Sequence, residues 1–295
     1  MIEKFNFYDL YGYLLPGLAL VCLLWAPFGY ISHHLPHGEV WSAFVVLLAA
    51  YLLGHLLQTI LTSAISSQVM RDAAGRPRFP SDALVDAADG SFDVDFKTRL
   101  AVSITEAFGL DIAGNGTGSD DLSKRRQQAF FQSRGVLVQQ KLVAYGEQFE
   151  GLYAMMRGTA FSFLVAVLYY LGWSAAIFDR SCLRISAIVL VGVALAIVIS
   201  TAVVRLAWET LLKRCDQITM CTLLGAALPA AYLLGLHTGV NGRTAIAFCV
   251  AAAVSLVAAL RFFAAYRYFA REFAKSIWRD FSAYWQVTRV QGHKA

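Results

Sequence analysis

Apolar positions gather into six stretches nearly free of charge: Leu10 to Ile31, Val40 to Thr62, Thr159 to Phe178, Ile185 to Trp208, Ile218 to Leu236 and Thr244 to Leu260. Each approaches the roughly 20 residues that carry a helix across a ~30 Å hydrocarbon layer. The first four predict spanning helices. The last two are shorter and alanine-rich, and Gly225 and Pro229 interrupt the fifth, so a crossing hairpin and a re-entrant one both fit.

Between the second and third stretches the pattern changes to helical periodicity with almost no strand alternation. Ser63 to Arg71 is expected to continue the second span, and "GRPRFPSD" to break it with two prolines. Ser81 is placed to cap a short helix through Ala88. Asp95 to Phe108 reads as an amphipathic helix with Phe96, Leu100, Val102, Ile104 and Phe108 as its apolar positions. "GLDIAGNGTGSDD" reads as a flexible connector. From Asp121 to Tyr145 the helical pattern returns and is expected to run with little interruption into the third span.

After the last span, Phe262, Tyr266, Phe269, Phe273, Ile277 and Phe281 fall on one helical face, with Arg267, Arg271, Lys275 and Arg279 nearly opposite. Two placements suit this basic amphipathic helix: on an anionic lipid surface, or with its aromatic face packed on the insert. The expected fold class is therefore all-α: a polytopic helical membrane protein of about six spans, four of them firm. Its parts are a first transmembrane hairpin (1–63), a helical cytoplasmic insert (64–150), a second hairpin (151–208), an alanine-rich transmembrane or re-entrant hairpin (209–260) and a basic cytoplasmic tail (261–295).

The entry to the first span, "NFYDLYGYLLPG", combines a helix start, an aromatic collar and a kink. Asn6 is placed to act as N-cap, Asp9 stands three residues on as a capping-box partner, and Phe5 and Leu10 occupy the staple positions. Tyr8, Tyr11 and Tyr13 suit headgroup depth, and Pro16 with Gly17 is expected to bend the helix. The stretch reads as a signal anchor and not a cleaved leader.

Composition agrees with the spans. Charged residues make up 15% and hydrophobic residues 58% of the chain, whereas soluble domains run near ~25% charged. The net charge of +5 is unevenly spread: with six spans, 22 of the Lys and Arg residues fall on one side and three on the other. The positive-inside rule then puts both termini and the insert on the cytoplasmic side, with the lipid bilayer as an obligatory partner.

Within the second span Tyr51, His55, Gln58, Thr62 and Ser66 recur at helical spacing on one face. Polar atoms facing lipid are costly, so the stripe is expected either to line a pore or to hold helices together. His33, His34, His37 and Glu39 in the first outer loop form a weak candidate metal site, since adjacent imidazoles seldom point to one ion. The five cysteines lie mostly in spans and imply no disulfide framework. "GNGTGS" lacks the strand and the Gly-Lys-Ser/Thr ending of a phosphate loop. No catalytic motif is found, so an enzyme, a cofactor and a nucleic-acid partner are not expected.

"FNFYDLYGYLLPG", "YLLGHLLQ" and "YAMMRGTAFSFL" together resemble a group of bacterial multi-pass proteins of unassigned role that are often met beside antiviral defence genes. The resemblance covers the N-terminal two thirds and departs from the group at Ile218 to Leu260. It implies a membrane effector or sensor that responds to infection. The expected function is a homo-oligomeric effector that gates a pore or perturbs the membrane on a cytoplasmic signal. The alternative is a non-conducting sensor or scaffold that docks a cytosolic signalling partner.

Overall fold

A computed structural model of the chain describes residues 8–32, 40–64, 70–71, 77–114, 119–177 and 242–292. Among them the regular structure is helical, apart from one two-residue antiparallel ladder. A π-helical segment, Asp9–Leu14, leads into α1 (Leu15–Ser32), and α2 follows (Val40–Ala64). Strands β1 (Met70–Arg71) and β2 (Pro77–Arg78) pair, with Met70 opposite Arg78. Then come α3 (Pro80–Ala83), α4 (Val94–Phe108), α5 (Ser119–Gln139), α6 (Ala144–Ile177) and α7 (Gly242–Gly292). Four of these helical stretches are long and apolar enough to cross a membrane: Asp9–Ile31, Ser42–Leu61, Tyr145–Ile177 and Thr244–Gln291. The expected spans Ile185 to Trp208 and Ile218 to Leu236 lie outside the described residues, as do Asn6, Ser66 and the histidine loop.

The chain divides into two compact units. The span unit draws on Met1–Ser66 and Ala154–Tyr266, and the insert-tail unit on Ser67–Tyr153 and Arg267–Ala295. Helices α6 and α7 each contribute residues to both.

In the span unit, large apolar side chains remain exposed along α2 (Phe44, Val45, Leu48, Leu52, Leu56) and α7 (Val250, Val254, Val257, Leu260). Water would penalise such a surface, and lipid tails do not. Where α1 and α2 cross, the backbones touch. A Cβ on Gly17 would lie 1.8 Å from the Ala50 carbonyl oxygen, and one on Gly54 would lie 1.8 Å from that of Tyr13. Small residues at this crossing gain close dispersion contact where no hydrophobic drive between helices exists.

The insert-tail unit has its own core of Leu84, Leu100, Ile104, Leu137, Ile277, Trp278 and Phe281, all fully buried. Helix α4 matches the expected amphipathic segment, with Asp93 as its N-cap accepting from the Val94 N–H at 2.8 Å and Gly109 closing it at φ 68°. Val102 is a correction. It is 48% exposed, because it sits two residues from Leu100 and Ile104 and so turns to the opposite face.

Several boundaries also differ from expectation. Met70 and Arg71 are extended and not a continuation of α2. The short helix begins at Pro80, whose fixed φ suits the first helical position, and ends at Ala83 instead of Ala88. Ile112 of the expected flexible connector is only 3% exposed and belongs to the core.

The largest departure is at 140–143, where the expected continuous helix breaks. Lys141 adopts φ 57°, the Lys141 N–H donates to Val138 O at 3.1 Å and the Leu142 N–H to Leu137 O at 2.9 Å. These are the two bonds of a Schellman stop, and they satisfy carbonyls at the end of α5. Nothing in composition announced it, because the left-handed position holds lysine and not glycine.

Candidate functional site: a polar junction between helices

Pro16 explains the geometry that surrounds it. It has no N–H to offer the carbonyl four residues back, and its ring crowds that carbonyl, so the preceding turn widens to the π form. Accordingly the Leu15 N–H reaches back five residues to Leu10 O. The Gly12 carbonyl, deprived of the proline's N–H, accepts from Gln58 Nε2 of α2 at 2.8 Å. The same nitrogen donates to Ala154 O of α6 at 2.7 Å, and Gln58 Oε1 accepts from Arg157 Nη2 at 2.6 Å. A carboxamide offers two N–H donors and one carbonyl, and each has a protein partner here.

The surroundings are tight. Gln58 and Arg157 are 3% and 5% exposed. The Arg157 guanidinium carbon lies 6.0 Å from the centre of the Tyr266 ring, within the range of a cation–π contact. Ser162 Oγ lies 3.1 Å from both Pro16 O and Gly158 O. One turn earlier on α2, the half-buried His55 ring stacks on Tyr13 at 3.7 Å, and the Tyr51 ring meets His55 edge-on at 4.6 Å.

The predicted stripe is thus brought to one place only in part. Tyr51, His55 and Gln58 join the first span's Tyr13 and Pro16, whereas Thr62 lies at the end of α2 and Ser66 outside the described residues. Gln58 follows the interhelical alternative. Arg157 and Ser162 of the junction, and Gly54 at the adjoining helix crossing, escape the sequence reading. A lone arginine two residues before the expected third span is the signal in the sequence that points to a partner for Arg157.

No family model, curated protein or solved structure matches the chain. Its function has to be argued from these side chains.

In the insert-tail unit the buried ionic centre is Asp82, fully buried, with Arg126 Nη1 at 3.0 Å, Arg78 Nη1 at 3.2 Å and Ser123 Oγ donating at 2.8 Å. Arg126 Nε also donates to Ile112 O at 3.1 Å, which ties Ile112 to α5. Beside this centre, α4, α5, the 85–87 turn and residues 111–113 line an open cleft of about 710 Å³.

Of the expected aromatic face of the tail, Phe273, Ile277 and Phe281 pack on the insert, whereas Phe262 stacks on Phe163 and Tyr266 meets Arg157 in the span unit; Trp278, absent from the predicted face, also donates from Nε1 to Ser81 O at 3.1 Å. Of the four predicted surface cations, Arg271 meets Ser91 Oγ and lies 3.6 Å from Asp89, and Lys275 pairs with Glu272 at 2.6 Å. Arg267 and Arg279 are exposed.

Among the described residues no group of three or more His, Cys, Asp or Glu side chains comes together as metal ligands. Cys22 and Cys249 are free thiols.

Proposed function

We propose that the chain is a membrane-embedded receiver and effector, in the antiviral setting of a bacterial inner membrane that the resemblance implies. The insert and tail together receive a cytoplasmic signal, and an oligomer of the span units opens or perturbs the membrane. The observation that carries this reading is that α6 and α7 each belong to both units. A change in how the insert and tail grip these helices has a covalent, hydrogen-bonded route to the polar junction at Gln58 and Arg157. The exposed apolar faces of α2 and α7 supply surface for lipid and for neighbouring copies.

Ion flux from liposomes holding the purified full chain, measured after its oligomeric mass is fixed, tests the proposal. Wild type is compared with Trp278→Ala, which loosens the insert-tail core. The expected result is an oligomer whose flux changes in the variant. A monomer, or no flux from either protein, overturns it.

Gln58 favours a second reading, the non-conducting scaffold, because its polar atoms are engaged inside one protomer and not presented to a water path. Copurification of a stoichiometric cytosolic protein, with liposomes that never leak, is the result that scaffold predicts.

A further inference from the structure

The cleft in the insert-tail unit has the size of a small-molecule site, about 710 Å³ against the ~300–1,000 Å³ typical of such sites. Half of its lining residues are aliphatic. Val85 and Ile112 form buried lining, and Val94 and Val102 on α4 stand 71% and 48% exposed at its edge. An exposed valine pair beside a concave surface gains from an apolar occupant.

The ionic lining is specific. Arg78, Lys97 and Arg126 line the cleft, and so do Asp86, Glu106 and Asp111. Asp82 holds both arginines from behind, and Glu106 already meets Arg289 Nη1 at 3.1 Å. Cations and carboxylates therefore balance, which leaves no excess field for a polyanion.

Arg126 is the most buried cation of the lining, 5% exposed. A guanidinium carries five N–H donors. Arg126 gives one from Nε to Ile112 O and one from Nη1 to Asp82, so among the described residues its second terminal nitrogen has no protein acceptor. Lys97 gives two to the carbonyls of Asp86 and Asp89 and keeps a third. Donors held in place by other bonds are suited to one carboxylate or phosphate group. Asp111, whose Oδ1 accepts from the Ala113 N–H at 2.9 Å, disfavours a second negative charge.

We propose that this cleft binds a small molecule with one anionic group on an apolar body, the anion meeting Arg126 and Lys97 and the body lying against Val85, Val94, Val102 and Ile112. As the signal of the receiver described above, the inference rests on that reading; as a binding site it stands on the geometry alone.

The test uses the full chain in nanodiscs, with empty nanodiscs as the blank, titrated calorimetrically with 4-phenylbutyrate, with its neutral isostere 4-phenylbutanol, and with inorganic phosphate. The expected result is that 4-phenylbutyrate binds above the blank, and that the alcohol and phosphate each bind about tenfold more weakly or worse. Thr98→Trp, which fills the cleft from α4, and Arg126→Lys, which keeps the charge without the planar fork, each weaken 4-phenylbutyrate by about tenfold or more.

No heat above the blank with 4-phenylbutyrate, equal binding of acid and alcohol, or undiminished binding to folded Thr98→Trp overturns the site. Binding by phosphate as tight as by 4-phenylbutyrate overturns the apolar body. Liposome flux measured with and without 4-phenylbutyrate separates the two claims: binding with no effect on flux retains the site and removes its role as the trigger.

Discussion

Gln58 and Arg157, 99 residues apart in sequence, meet at 2.6 Å through a carboxamide oxygen and a guanidinium nitrogen in a part of the chain built for lipid. The contact closes a junction that also takes in the Gly12 carbonyl, which Pro16 leaves without its usual donor. Its members depend on one another. Each of the following variants is therefore read as an unfolding free energy of the detergent-solubilised protein.

Gln58→Leu removes one hydrogen-bond partner each from Gly12 O, Ala154 O and Arg157. Buried groups left without partners cost about 1–3 kcal/mol each, and membrane measurements fall at the low end, so a loss of about 2–3 kcal/mol is expected. Pairing it with Arg157→Met should cost less than the two single losses combined, by about 1 kcal/mol, since residues in one network couple. Strict additivity would show that the two side chains act independently.

Gly54→Ala tests the helix crossing. The added methyl carbon would lie 1.8 Å from Tyr13 O, a backbone atom that cannot rotate away. Separation of α1 from α2 is expected, at about 1–3 kcal/mol or more. Gly135, whose surroundings are open, is the control: Gly135→Ala should be neutral or slightly stabilising, as helix propensity predicts.

Asp82→Ala leaves the buried Arg126 with only the more distant Asp86 carboxylate, 3.9 Å away. Breaking one side of a buried ion pair costs about 3–5 kcal/mol. The insert-tail unit should lose its structure first, which hydrogen exchange at Leu100 and Ile104 reports; uniform destabilisation of all helices would contradict it.

Lys141→Gly is a stabilising change. The left-handed conformation at φ 57° costs an L residue about 1–2 kcal/mol and glycine little, offset in part by the freer unfolded chain. A gain of about 0.5–1 kcal/mol in thermal or denaturant unfolding is expected. A loss would mean that the lysine's cation contributes more to the end of α5 than its strain costs.

Hydropathy by itself determined that this chain is helical and membrane-embedded, because a long apolar run has one inexpensive fate near water and lipid and its backbone must bond internally. Local periodicity likewise determined that α4 is amphipathic and that Phe273, Ile277 and Phe281 share a face. Tertiary structure decided what those faces meet. Whether the tail's aromatics cover lipid or protein depends on which apolar surface is within reach, and no spacing within one helix encodes it; in the structure Phe273, Ile277 and Phe281 pack on the insert. Whether Gln58 lines water or ties helices depended on Arg157, nearly a hundred residues away, and on the carbonyl exposed by Pro16. The break at Lys141 was equally hidden, since its left-handed turn is stabilised by hydrogen bonds and by the burial of Leu137, not by the residue that adopts it. Local pattern reports what each segment costs in water, whereas a partner's identity is settled by which distant groups can satisfy it at once.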